Sequence, residues 1–592
     1  GDVINHAARY VNQITTVIGV SAAAGAKSGV GFEGALASSS IKNDTKAHIE
    51  GADIRAGAGK KLDNSAYDAA DLNKTFDREL LADGLDPAGL TYRENAEMNV
   101  VTKDDPFLHT MKEDGRLVKG STKVITTALA VSSDLSRKSV GDAAAAAVSA
   151  QQNTLAARIE KSTIMAPALN NIAYSDALLI NMSGGAAVES DYFSGAGSVS
   201  VQDRSDTMKA EIEDSDIEAQ HTEVYAQPRN MDVNLAGQIS AETTENAYGF
   251  KQFVGWQNGA GLAVAFTHLN NATQAHILGT SLKGDAHDVK VRVKNTGFVL
   301  SAAAAVNGGS EAALSGALAL MQGKDTTLAG IGKSESRRSS LENVNRVMIY
   351  ANDDNRKEAA AGGKKSADTA AVGGAVAYNE MGGAGYLSLE AFLNDTDIVT
   401  KGDKSAIRVF AEDQVRIHAA AEGSAGAGTA AVQGAAATSK SEKDVRARMK
   451  DTNVKNAAGE VKASLSLKAK SESYTGAQTR VLAGAGATAV GAGVSKTTTL
   501  GSTTAELSGG RQTVGGAEVL AELYGSDTVI GVGGAGGGTA AAAGSVAVNE
   551  RKGELTAKIT GGAELDAAHD VVVAARSDSD VRGYAGALSI DD

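Results

Sequence analysis

The chain has 592 residues with no Cys, 4 Pro, 68 Gly, 4% aromatics and a formal net charge of -14. So little aromatic volume does not suit a large globular enzyme core, whereas a stacked array needs only a thin interior of Ala, Val, Ile and Leu. The acidic balance argues against a nucleic-acid footprint, no run approaches 18 large apolar residues, and glycine has no three-residue period, which sets aside membrane-spanning helices and collagen.

From the N-terminus onward one short signature recurs: an apolar residue or Thr, a mostly polar residue, Ala, another mostly polar residue, and a large anchor. The anchors are Ile49, Ile159, Ile212, Ile277, Ile331, Leu393, Met449, Leu507 and Ile559. The residue two before each is Ala, from Ala47 to Ala557. Alternation of this kind is a strand with one face in a core and one in water. The anchors are 110, 53, 65, 54, 62, 56, 58 and 52 residues apart, a period near 55 with one doubled gap, which implies a solenoid. Five residues after the anchor comes another apolar residue in six copies, Ile54, Ile164, Ile217, Leu282, Ile398 and Val454, while the copies at Ile331, Leu507 and Ile559 slip. Further on lie alternating pairs such as Val347 and Ile349, Ile407 and Val409, or Val571 and Val573. Each unit therefore reads as several short strands. At ~20–28 residues per coil and ~4.8 Å between coils, the stack would be on the order of 100 Å long.

Residues 1–62 give the start of the array, and 63–120 break it. The segment 63–120 is rich in Asp, Glu and Lys, holds two prolines, and contains a helix-like run from Leu72 to Leu81 closed by Asp83-Gly84. Register resumes afterwards, so 63–120 reads as a small, partly helical lateral insertion, either a binding element or a decoration without a partner. Residues 121–592 carry the remaining repeats. The alanine runs 143–147, 302–305 and 540–543 read as strands because they abut Gly-rich segments such as 531–538. All four prolines lie within the first 228 residues, leaving the remaining ladder every N–H. A second irregularity, at about 225–260, brings Tyr248, Phe250, Phe253 and Trp256 within nine residues. Exposed, they would stack on a sugar or a protein partner; buried, they would cover an uneven edge of the core. A charged turn is expected at Asp353 to Lys365. Both chain ends fall within a unit, as expected of a segment from a longer array.

Motifs for chemistry are weak. Gly332-Lys333-Ser334 and Gly363-Lys364-Lys365 lack the upstream glycine of a phosphate-binding loop, and there is no His-Glu-x-x-His, nucleophile elbow or Cys pair. Asp395 with Asp397, Asp104-Asp105 and Asp353-Asp354 could hold calcium or act as paired carboxylates, but suit solvated turns better. Lys283-Gly284-Asp285 and Lys401-Gly402-Asp403 are similar to an integrin-binding tripeptide, and are also ordinary turn residues. No cofactor, metal or catalytic residue is expected.

The run Ser545-Val546-Ala547-Val548-Asn549, followed by Thr556-Ala557-Lys558-Ile559-Thr560-Gly561 and Asp570-Val571-Val572-Val573-Ala574-Ala575, resembles the repeats of leukotoxin-type filamentous adhesins. These are long surface or secreted proteins of Gram-negative bacteria, similar to filamentous haemagglutinins. The resemblance covers most of the chain outside 63–120. It implies an all-β, right-handed parallel β-helix and a non-enzymatic passenger segment. It also implies an outer-membrane transporter used by the parent during export, a location outside the cell or on its surface, and a host-cell protein or glycan as partner. The chain is expected to be a monomer. Lack of Cys fits passage through an oxidising periplasm. A carbohydrate-processing β-helix enzyme and a receptor-free matrix protein are the alternatives.

Overall fold

A computed structural model describes residues 1–9, 11–23, 29–68, 122–134, 139–189, 193–245, 251–254, 256–401, 405–457 and 462–591. The fold is a parallel β-helix. Residue alternation sets it up: along Ala406–Ala427 and Ala430–Lys450, buried and outward positions alternate without a change of phase. Each such strand is therefore one unbroken extended segment with a single inner face. One coil consists of a first long strand, a tight turn, a second long strand and a short third strand, as in Ala406–Ala427, Ala430–Lys450 and Asn453–Asn456.

The anchors stack directly on one another. Ile49 pairs with Ile159, which pairs with Ile212, then Ile277, Ile331, Leu393, Met449, Leu507 and Ile559. The downstream pairs stack too, Val289 on Val347, Ile407 and Leu465. One repeat is thus one coil, which corrects two expectations. The units are built from long strands of about 22 residues, not several short ones. Nine anchors rise through eight coil steps, on the order of 40 Å rather than 100 Å. Alternation alone marks the inner face of a strand and cannot show where the strand ends.

The doubled gap holds one coil, because Ile49 meets Ile159 without an intermediate. Lys61–Asp68 lies in the ladder against 168–175, so the boundary of the insertion moves from 63 to beyond Asp68. Thr122 then pairs with Ala177. Residues 69–121, including the helix-like run at 72–81 and Asp104-Asp105, lie outside the described residues.

Two kinds of interior follow from two kinds of facing residues. Near the anchors, three strands enclose a head filled with Ile, Leu, Val and Met, including Leu62, Ile164, Val291, Leu393 and Leu467. Beyond it the two long strands lie face to face as a flat arm. Asn379 Nδ2 bridges this arm, donating to the carbonyls of Lys357 (2.8 Å) and His418 (3.2 Å), and the Thr479 and Ser495 hydroxyls meet at 2.8 Å. The apolar part of the arm's interior is almost all alanine, such as Ala305, Ala319, Ala361, Ala377, Ala421 and Ala437. Only methyl-sized side chains allow two sheets to approach this closely while still excluding water. The alanine runs 143–147, 302–305 and 540–543 are strands of this arm.

A repeated turn closes the head. Two residues after the anchor, the backbone is left-handed at Gly51, Lys161, Asp214, Gly279, Asp395, Asp451, Gly509 and Gly561, with φ of 47–65°. The next residue is often Ser or Thr, whose hydroxyl donates to the carbonyl just after the anchor, as from Ser162 to Glu160 (2.7 Å) and Thr280 to Leu278 (2.9 Å). The same hydroxyl oxygens accept backbone N–H groups from the coil before, Ser162 N donating to Ser215 and Thr280 N to Ser339, both at 3.2 Å.

Candidate functional site

The stretched repeat is a hairpin at the tip of the arm. The first long strand of its coil, His221–Glu245, continues beyond the ladder. Its end pairs antiparallel with Lys251–Val254, Glu242 opposite Val254 and Glu245 opposite Lys251. Every other strand pairing among the described residues is parallel, so this segment leaves the stack. Of the four aromatic residues singled out, Phe253 lies on the returning strand, in register with Thr243, and Trp256 begins the next long strand opposite Gly309. Tyr248 and Phe250 lie outside the described residues. The same coil contains Pro228, where the ladder toward 293–296 skips Gln227 and Pro228 because proline has no N–H to donate.

Between the head and the arm runs a belt of buried charge. Arg204 meets Asp206 at 2.6 Å and Asp232 at 2.7 Å; Lys357 meets Asp325 at 2.6 Å. Lys443 lies between Asp353 (2.6 Å) and Asp413 (2.7 Å), and Arg551 meets Asp527 at 3.0 Å. Asp353 and Asp413 are register partners in successive coils, so two stacked carboxylates share one ammonium. Burial pushes the Asp413 carboxyl up to about 6 against the pull of Lys443. Burial opposes the charge on Lys443, but the two acids outweigh it and hold its pKa above the ordinary lysine value. The expected charged turn at 353–365 is therefore corrected. Asp353 and Lys365 lie inside one strand, Ser339–Ala367, with their side chains inward. Two cavities at this belt are small, about 20 Å³ beside Arg204, Asp206 and Asn230 and about 30 Å³ beside Asp413, Lys443 and Ser471. That is room for a water or two, well below the ~300 Å³ of a ligand pocket.

The remaining candidates are ion pairs on the outside. Asp395 and Asp397 are both held by Arg338, at 3.3 and 3.4 Å. Asp285 of the first Lys-Gly-Asp triplet is paired with Lys401 of the second, two coils on, while Gly402 and Asp403 lie outside the described residues. His48, Glu50 and Glu160 could bring three ligand atoms within 4.8 Å, but Arg158 occupies the same Glu160 carboxylate.

The outer face of the second long strand has a different character. In the nine coils, three successive outward positions near the tip read Phe32-x-Gly34-x-Leu36, Asp142-x-Ala144-x-Ala146, Gly195-x-Gly197-x-Val199, Ala260-x-Leu262-x-Val264, Leu314-x-Gly316-x-Leu318, Val372-x-Gly374-x-Val376, Val432-x-Gly434-x-Ala436, Val490-x-Ala492-x-Val494 and Ala542-x-Gly544-x-Val546. Asp142 alone is charged, and burial raises its carboxyl pKa. The face is open to solvent, with Leu314 55% and Val372 44% exposed. Its border toward the head is polar and paired, His268 with Asp203 at 2.9 Å and Lys440 with Glu380 at 2.9 Å. Across the arm, the outward face of the first strand is mixed, with Lys364, Glu422 and Arg480 beside the exposed Val306, Leu482 and Val532. Sequence reading missed both this face and the belt, because each is visible only once residues some 55 apart are aligned. No family model matches the chain, and neither does any curated protein or solved structure.

Proposed function

We propose that the chain is a non-enzymatic passenger segment of a large secreted or surface-exposed bacterial adhesin, a rigid stack that presents host-cell-binding elements. The observation that supports this is the hairpin at the tip of the arm, an antiparallel departure from a parallel stack that places Phe253 beyond the parallel ladder. A sheet already satisfied in its own ladder gains nothing structural from such an extension, whereas a strand pair that leaves the stack with an aromatic residue on it suits recognition of a protein or glycan. The charges of the belt are spent on one another and do not converge on an open cleft. In this reading the parent is exported through an outer-membrane transporter and needs no cofactor. The apolar outer face favours a second reading, a receptor-free matrix component.

Replacing Tyr248, Phe250, Phe253 and Trp256 together by Ala tests the proposal. Binding of the labelled chain to host-cell monolayers should fall at least about tenfold, while the melting temperature stays unchanged. Undiminished binding overturns the assignment to the hairpin, absence of binding by the wild type favours the matrix reading, and release of reducing or unsaturated sugar ends from polysaccharide favours an enzyme.

A further inference from the structure

The outward face of the second strand has a relief that its own fold does not require. Its central column is glycine in six of nine coils, flanked by ridges that include Leu314 and Val372 on one side and Leu318 and Val376 on the other. At Gly34, Gly197, Gly374, Gly434 and Gly544 an added Cβ would meet nothing within 4 Å, and none of these residues has positive φ. Glycine inside a strand weakens it by roughly 0.5–1 kcal/mol relative to Ala, and commonly marks a place where another backbone approaches closely. Among the described residues, no neighbour comes near these five positions. From Gly316 to Gly544 the column is a groove along the stack, bounded by two apolar ridges, while in the coil before it Leu262 fills the column.

We propose that this face is a twofold interface between two copies of the chain, the glycine groove of one receiving a valine and leucine ridge of the other. The size fits. Nine rows at ~4.8 Å and three outward columns at ~6.7 Å cover on the order of 850 Å², above the ~300–600 Å² patch of a typical monomer and close to the ~800 Å² per partner of a standard interface. The shape fits because a ridge beside a groove of equal spacing is self-complementary under a twofold rotation, as an isologous contact demands. The charge fits as well. A chain of net charge -14 repels its copy, but this face carries a single acid, Asp142, and its polar rim is internally paired. Two such faces can meet without burying unpaired charge over most of their area. A dimer then replaces the monomer expected from sequence, and this inference does not depend on the adhesin reading.

The test is sedimentation and light scattering of the 592-residue chain over a concentration series, for the wild type, for Gly374→Arg/Gly434→Arg and, as a second variant, for Val376→Glu. An added Cβ at either glycine meets nothing within 4 Å, so melting should fall only by the repulsion between the two stacked arginines, and Val376→Glu is free of that effect. The wild type should approach twice the monomer mass with a plateau, and both variants should weaken association at least about tenfold. A wild type that remains monomeric at its highest soluble concentration overturns the proposal. So does a dimer that both variants leave intact, a mass that grows without a plateau, or capture of the face by phosphatidylcholine vesicles in place of a second copy.

Discussion

At Asp353 the sequence and the structure part company for a physical reason. An acid beside other polar residues is ordinarily a turn residue, yet this one lies inside a strand, sharing Lys443 with Asp413 across coils. A buried carboxylate pair with one cation carries a surplus negative charge, and burial is the main cause of the raised Asp413 pKa, about 6. A carboxyl that binds its proton more tightly folded than unfolded stabilises the fold fully below its unfolded pKa of ~3.8, and that contribution disappears as pH rises through about 6. Asp413→Asn keeps the shape and removes the titration. Relative to wild type, the variant should gain stability from pH 5 to 8, by about 1–3 kcal/mol at the upper end, and show no gain near pH 4. Urea unfolding of both proteins across that range checks it; an equal difference at all pH values would mean that Asp413 does not titrate as described. The anchors, by contrast, were legible residue by residue. Ile277 stacks between Ile212 and Ile331 as its spacing implied, because large aliphatic side chains at a period of two have no other place to be buried.

Among the elements, the head was readable, whereas of the arm only the alanine runs were legible as strands, and not their face-to-face pairing. The head is filled by large side chains whose alternation is conspicuous, while the arm is filled by Ala, Gly and Ser, residues that carry little hydrophobic contrast between inner and outer faces. The turn after the anchor had a signal that went unread: Gly, Asp or Lys followed in several coils by Ser or Thr. The signal reflects a left-handed residue and an inward hydroxyl that satisfies the carbonyl behind it. Asp451, at φ 48°, tests how much this conformation matters. Left-handed geometry costs most side chains about 1–2 kcal/mol, is tolerated by Asp and is free for Gly. Asp451→Gly should therefore melt at or slightly above the wild-type temperature. Asp451→Val should lose about 1–2 kcal/mol, because a β-branched residue strains there. If valine is tolerated as well as glycine, the turn does not hold the conformation described.

At the scale of the molecule, the stack is governed by register, and register survives interruptions that lie outside it. Asp68 pairs with Ser175 and Thr122 pairs with Ala177, so the two ends of the interrupted strand lie opposite residues separated only by Asp176. In the following coil one residue spans the distance that residues 69–121 span in this one. Closing a loop of that length adds only the logarithmic entropy of the loop, and the coils on either side keep their hydrogen bonds regardless. Replacing 69–121 by Gly-Ser should therefore leave the melting temperature of the stack nearly unchanged, or raise it slightly through the shorter closure. The expectation is specific to this site: an equal deletion within 406–456 would remove a coil and the anchor at Met449, and should be far more costly. Differential scanning calorimetry of the shortened chain decides the matter. Cooperative loss of the whole transition would mean that 69–121 is bound into the stack rather than attached to it.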